Sequence, residues 1–388
     1  MGTGYTGKVA EDLYSRLNHI RQNESPFGER LTAEEARHAR YVQPILVAEV
    51  SFRTWTADDH IRHASFRGLR EDKVATEVIR ETGTRTAAPP AAAARPRIKL
   101  THPDRVYWPE NGVTKEGLAQ YYMDVWKWME PFVVKRPLAL LRCPGGIRDE
   151  CFFQKHAWKG LSKAIKLARD PKDDEVILSI DDLDGMIGLV QGAALEIHPW
   201  GATLAAIEQP DMIIMDLDPG EDVPWTAIAE GALEVKERLE REGLAAFIKT
   251  SGGKGLHVVA PLQPSAEWDA VKAFTKGIAD QMAADTPGRY VATITKSKRK
   301  GKILVDYLRN GRGATAVAAY STRARAGAAV SMPIGWDELG TVPSANYFTV
   351  GNAFTRLSGL PRDPWADFRK AAVPLPVQTQ ARRRKKAA

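Results

Sequence analysis

The stretch MIIMDLDPG, residues 212–220, decides how the rest of the chain is read. Its apolar run, Met212 to Met215, predicts a buried strand that ends in two carboxylates, Asp216 and Asp218. Positions i and i+2 of a strand share a face, so both carboxylates point the same way. Like charges held side by side repel unless a cation sits between them. The natural occupant is Mg²⁺ or Mn²⁺, and the natural chemistry is metal-assisted phosphoryl transfer. A lone D-x-D is equally the composition of a solvated turn, so the reading depends on its company.

Two downstream segments supply that company. The first is TSGGKGLH, residues 250–257, between predicted strands at 245–249 and 256–260. Its glycines expose backbone N–H groups and permit positive φ, so the loop can cradle phosphate. Ser251, Lys254 and His257 add donors. The spacing is not that of a Walker loop, and a strand follows where that motif has a helix. A glycine hairpin with a solvated lysine is the plain alternative. The second segment is KILVDYLRN, residues 302–310, in which Asp306 interrupts an apolar strand predicted over 303–307. A carboxylate there is costly unless it meets a cation, either a metal or a neighbouring Arg or Lys. Three strand-borne aspartates and a phosphate-type loop together favour metal–nucleotide chemistry over three unrelated accidents.

The remainder of the chain sets the frame. With 388 residues it has material for two or three domains, and 55 basic against 48 acidic residues give a net charge of +7. That balance favours an anionic partner, most simply nucleic acid. The two cysteines, Cys143 and Cys151, lack metal-ligand spacing; the expectation is a reduced, cytoplasmic protein without a disulfide. No apolar stretch approaches membrane-spanning length. The Ala- and Pro-rich run TGTRTAAPPAAAARP lacks large apolar residues and predicts a linker. The expected organisation is therefore a small unit at 1–81, a linker at 82–97, a large unit at 98–370 and a basic tail at 371–388. The small unit, with a strand from Leu46 to Phe52 and another over 61–66, suits a small β-barrel of OB type. In the large unit, helices are predicted at 115–129, entered through Thr114, and at 225–242, with a further strand at 316–320. Hairpin-like pairs among them favour α+β.

The order RCPGG, FFQKH, HPWG, DLDPG, SGGKGLHV, KILVDYLRN and YSTRAR resembles the polymerase domain of bacterial ligase D, a member of the archaeo-eukaryotic primase superfamily. The resemblance spans about residues 98–368. LVAEVSFRTWT and RHASFRGLREDK, within residues 1–81, resemble the C-terminal OB domain of the ATP-dependent ligase of the same family. No K-x-D-G nucleophile motif occurs in the chain, so the resemblance implies a C-terminal portion of a ligase D that does not seal nicks by itself.

The resemblance also implies roles. Asp216, Asp218 and Asp306 would hold two ions, Mn²⁺ or Mg²⁺. Ser251, Gly252, Lys254, His257 and Arg323 would take the incoming triphosphate. Arg105 and Lys115 would receive a 5′-phosphate at the far side of a gap, with Arg105 standing where lysine is usual. Phe152 and Phe153 would stack on template bases, core packing being the alternative. Arg142, Gln154 and Lys155 would touch the DNA backbone. The basic run at 296–302 is either a DNA-binding loop or a solvated hairpin, and His198 is structural or near the nucleotide. The implied function is DNA-dependent nucleotidyl transfer that fills gaps and extends broken ends with ribonucleotides in non-homologous end joining. The implied partners are 5′-phosphorylated break ends, nucleoside triphosphates, a Ku-type protein and a ligase in trans, near the nucleoid. Two other readings stay open: a noncatalytic DNA-bridging module, and a primase that starts strands de novo.

Overall fold

The computed structural model describes residues 7–26, 40–51, 54–55, 61–62, 65–70, 75, 78 and 96–376. Most of the predicted linker and the end of the predicted tail lie outside these residues. The chain divides into two compact units, Met1–Ala93 and Ala94–Ala388.

Among the described residues of the first unit, helix α1 (Gly7–His19) precedes six short strands: β1 (Arg21–Gln22), β2 (Tyr41–Val42), β3 (Ala48–Ser51), β4 (Thr54–Trp55), β5 (Ile61–Arg62) and β6 (Ser65–Leu69). They pair antiparallel as β1–β2, β3–β6 and β4–β5. Among the described residues these are three two-stranded ladders, and much of the expected barrel falls outside the described residues. Of the strand predicted over 61–66, Ile61–Arg62 lie in β5 and Ser65 and Phe66 in β6, and residues 63–64 lie outside the described residues.

The second unit begins with the hairpin β7 (Val106–Trp108) and β8 (Val113–Thr114), followed by helix α2 (Lys115–Val133). Thr114 starts α2 as predicted: its Oγ1 accepts the Gly117 N–H at 3.1 Å. Such a cap stabilises a helix by about 1 kcal/mol. Next come β9 (Leu138–Arg142), β10 (Phe152–Gln154), β11 (Lys166–Arg169), β12 (Val176–Ser179), α3 (Leu183–Gln191) and β13 (Ala194–Pro199). These strands form a five-stranded antiparallel sheet in which β9 pairs with β10, β12 and β13. Helices α2 and α3 pack on each other and on β13.

The remaining elements build the sheet that carries the acids. They are β14 (Met212–Pro219), α4 (Trp225–Arg241), β15 (Phe247–Thr250), β16 (Leu256–Pro261), α5 (Trp268–Asp285), β17 (Tyr290–Val291), β18 (Ile303–Asp306), β19 (Pro333–Ile334) and α6 (Ala353–Gly359). The strand order is β17-β18-β14-β16-β15-β19, antiparallel except for β17–β18. In β14, Ile213, Met215 and Leu217 alternate with the acids and are fully buried. Burying each such side chain contributes about 1.5–3 kcal/mol. Helices α4 and α5 pack on this sheet.

The segment 316–320 is not the ladder strand its apolar run suggests. It is tied to β13 by single bonds, with the Ala318 N–H donating to the Ile197 carbonyl at 2.9 Å. It then turns at Tyr320, whose φ of +67° is incompatible with a strand.

The cysteines also depart from expectation: Cys143 and Cys151 form a disulfide. The cause is register. Because Arg142 opposes Phe152 in the β9–β10 hairpin, the cysteines just beyond face each other, with Cα atoms 4.4 Å apart. A spacing of eight along the chain does not reveal this.

Candidate active site

Strand pairing assembles the acids. On β14, Asp216 lies opposite Asp306 of β18 and opposite His257 of β16; His257 in turn opposes Lys249 of β15. Directly opposed residues project from the same face of a sheet. One row across four strands therefore reads Asp306, Asp216, His257, Lys249, and all four side chains are buried. Asp218 shares the face two residues along β14 and sits opposite Leu304.

This row is under electrostatic tension. Burial pushes the Asp216 carboxyl up to about 6; Arg309 opposes the rise, whereas Asp306 and Asp218 reinforce it. The Arg309 Nε lies 3.3 Å from Asp216 Oδ2 and 3.7 Å from Asp306 Oδ2. Asp306 Oδ1 also accepts the Leu308 N–H at 2.7 Å. Asp218 is paired with Arg299, from the basic run at 296–302. His257 Nε2 is 3.4 Å from Asp216 Oδ1, and its Nδ1 is buried without a partner. Burial, aided by nearby Lys249 and Arg309, holds this imidazole well below its ordinary pKa, so it is neutral at pH 7. Burial likewise pushes Lys249 down to about 7, against the pull of Asp216. Its ammonium donates to the Val317 carbonyl at 3.0 Å and to Ser331 Oγ at 2.6 Å.

Among the described residues no three His, Cys, Asp or Glu side chains close into a ready-made metal cage. Arginines take the cation's place beside each aspartate. The donor set nonetheless fits a hard divalent ion: carboxylate oxygens on adjacent strands, one carrying a raised pKa that a bound cation would relieve.

Beside the acids runs the glycine loop. Gly252 has φ +65°, and a Cβ there would press on the Val330 backbone and the Arg323 side chain. A Cβ on Gly255 would overlap the Leu217 carbonyl oxygen, so the loop can lie against β14 only as glycine. Ser251 Oγ accepts the N–H groups of Gly253 at 3.2 Å and Gly255 at 3.1 Å, shaping the loop from within. Arg323 donates to the Ser251 carbonyl at 2.5 Å, and its Nε lies 3.0 Å from Glu196 Oε2. The other oxygen of Glu196 accepts the Ala324 N–H at 2.9 Å, while Oε2 also meets His198 Nε2 at 2.8 Å. Burial alone would raise Glu196, but the His198 hydrogen bond and Arg323 prevail and bring it down to about 2.

One cavity of about 900 Å³ has Asp216, Asp218, Ser251, Lys254, His257 and Arg323 on its walls. Its basic character comes partly from residues the sequence did not single out, Arg309 and Arg325. Lys296, Arg299 and Lys300 line it too, so the basic run faces the acids and is not a remote solvated hairpin.

The predicted DNA contacts fall into two groups. Phe152 and Phe153 lie on the edge strand β10 and are 40% and 61% exposed, which excludes core packing. Phe153 meets His198 edge-on, with centroids 5.5 Å apart, so this aromatic edge adjoins the cavity. Arg142 and Gln154 face inward onto their own neighbours. The Arg142 guanidinium lies 4.1 Å from the centroid of the Trp158 ring and 5.5 Å from that of Phe152, and its Nε donates to the Gly192 carbonyl at 2.7 Å. Gln154 accepts from Arg142 at 3.4 Å and donates to the His156 carbonyl at 2.6 Å. They prop the aromatic strand, and only Lys155 is free to solvent. Arg105 and Lys115 form the second group, joined through the Lys115 N–H to the Arg105 carbonyl at 2.8 Å. Arg105 is exposed; Lys115 is buried at the start of α2, with Nζ on the Thr101 carbonyl at 2.9 Å. Burial, then Arg105, lowers the Lys115 pKa. Neither residue lines the cavity.

The family described as the LigD primase-polymerase domain matches residues 114–365, and that of the ATP-dependent DNA ligase C-terminal region matches residues 1–73. The chain is 38% identical to the multifunctional non-homologous end joining protein LigD of Pseudomonas aeruginosa over 95% of its own length and 45% of that protein's. It is 27% identical to the bifunctional LigD of Bacillus subtilis over 81% of this chain and 51% of that one. Thus it spans about half the length of these relatives. Among solved structures, the polymerase domain of Mycobacterium tuberculosis ligase D in complex with DNA aligns with a TM-score of 0.65 at 28% identity, covering 72% of this chain and 100% of that one.

Proposed function

The chain belongs to the LigD primase-polymerase family, and from that premise we propose that it is a DNA-dependent nucleotidyltransferase that fills gaps and extends broken ends, with ribonucleotides as its preferred substrate. The observation that carries the reading is the register that sets Asp306 beside Asp216, which with Asp218 lines a basic cavity.

Two divalent ions, Mn²⁺ or Mg²⁺, held by Asp216, Asp218 and Asp306 would lower the pKa of a primer 3′-hydroxyl and neutralise the departing pyrophosphate. The protein's own groups do the rest. Neutral His257 braces Asp216 without adding charge. Lys254 and Arg323 present cationic donors to a triphosphate beside the glycine loop, whose Gly253 N–H is turned onto Ser251 Oγ. Phe152 and Phe153 offer faces for unpaired template bases, each worth about 1–3 kcal/mol when stacked. Arg105, beside the entry to α2, receives a downstream 5′-phosphate, with Lys115 behind it. A break end, nucleoside triphosphates, a Ku-type protein and a ligase acting in trans complete the set of partners.

The test is primer extension on a short-gapped duplex bearing a downstream 5′-phosphate. It compares ribo- with deoxynucleotides, Mn²⁺ with Mg²⁺, and wild type with Asp216→Ala/Asp218→Ala. Metal-dependent incorporation that disappears in the double variant is the expected result. A folded wild type that binds the duplex but incorporates nothing would turn the reading to a DNA-bridging module.

A further inference from the structure

Arg323 is held from behind the cavity by residues that do not line it. Its carbonyl accepts the Trp108 indole N–H at 3.1 Å, and Trp108 is fully buried on β7. One residue earlier, Thr322 is gripped by Tyr122 of α2. The phenol oxygen lies 3.0 Å from Thr322 Oγ1 and accepts the Thr322 N–H at 3.3 Å. Three residues before Arg323, the Tyr121 hydroxyl donates to the Tyr320 carbonyl at 2.7 Å.

These anchors converge on a strained place. Tyr320 is a large, fully buried residue at φ +67°. A bulky residue persists in that region only where its surroundings over-determine it. The turn it makes carries the chain from the 316–319 segment into the Arg323 position, where the guanidinium spans Ser251 and Glu196. Packing alone would not need an indole N–H or a phenol at these sites, because phenylalanine fills most of the same volume. What the polar atoms add is a fixed backbone beneath one guanidinium.

We propose that Trp108 and Tyr122 are positioning residues for Arg323, setting the reach of its guanidinium toward the phosphates of the incoming nucleotide. This rests on the reading of Arg323 as a triphosphate ligand.

The test uses Trp108→Phe and Tyr122→Phe in the full chain, each alone and combined with Arg323→Lys. Equilibrium binding of ATP with Mg²⁺ is measured beside KM and kcat for ATP in primer extension. Circular dichroism and thermal melting monitor the fold. Each single variant is expected to weaken ATP binding and raise KM by about 5- to 10-fold, the usual consequence of losing one buried hydrogen bond, with kcat changed less than about 2-fold. In the Arg323→Lys background the same substitutions should add less than about 2-fold, because their effect passes through the missing guanidinium. The proposal is overturned if the effects are additive, if kcat falls while KM holds, or if neither variant changes binding. Should Trp108→Phe fail to fold, Tyr122→Phe, which keeps its volume, decides alone. A wild type that binds ATP but extends no primer refutes the polymerase reading while the binding cycle still judges positioning. A wild type that binds no ATP refutes both.

Discussion

The acidic row of β14, β16 and β18 and the aromatic edge of β10 are built on opposite terms. The row is buried and fixed by the register of β14 with its two neighbours and of β16 with β15, and it holds charges that disfavour one another. The edge is exposed, carries two apolar rings and is propped from below by Arg142 and Trp158. A buried carboxylate has its place decided by the whole sheet, and little except its charge can be altered without disturbing the fold. An exposed ring on an edge strand is nearly independent of the fold, so it can be tuned to a ligand. The proposed function thus lodges chemistry where position is over-determined, and recognition where it is not.

The sharpest way to break this contrast is Asp306→Asn. The amide keeps the shape and the Leu308 contact but removes the charge. Incorporation should fall by at least about 10²–10³-fold, the range seen when one electrostatic group of an active site is lost, while DNA binding is unchanged. Retained incorporation would show that the row is structural. Phe153→Ala probes the other region. Affinity for a duplex with an unpaired template overhang should drop by about 1–3 kcal/mol, with the melting temperature and ATP affinity unmoved. A fall in stability instead would place Phe153 with the core.

The smallest effect lies in pH. The folded Asp216 pKa, about 6, stands above its ordinary value of 3.8. Its favourable contribution is therefore complete below the lower value and is lost as pH rises through the upper one. In a chelating buffer the wild type should lose a few degrees of melting temperature relative to Asp216→Asn between about pH 4 and 6.5, and added Mg²⁺ should restore it. Glu196, held near 2, acts in the opposite sense and in a lower window. Buried His198 and His257, both lowered, contribute a rising slope near their ordinary pKa that largely cancels in the comparison. Parallel curves for the two proteins would remove the electrostatic tension from the account.

Much of this was legible from local pattern. The strand that runs from Met212 into Asp216 and Asp218, the cap at Thr114 and the glycine loop announce themselves through periodicity, capping chemistry and the need for positive φ. What sequence could not supply was pairing. That Asp216 meets both Asp306 and His257, that Lys249 completes the row, and that Glu196 holds Arg323 depend on which strands become neighbours across tens of residues. The 316–320 run misled because apolar composition does not distinguish a ladder strand from an extended segment tied by single bonds. That Arg142 and Gln154 bond to Gly192, His156 and each other was not legible, because charge and polarity in a motif do not say which way a side chain turns.

The link between Cys143 and Cys151 closes the tip of the β9–β10 hairpin into a covalent ring. Within it, Arg148 is exposed and offers trypsin a cleavage point. A single nick there would leave two polypeptides that still migrate as one band on a denaturing gel, parting only when a thiol reductant opens the ring. The aromatic strand that follows would thus stay tethered to the sheet after its own connecting peptide had been cut.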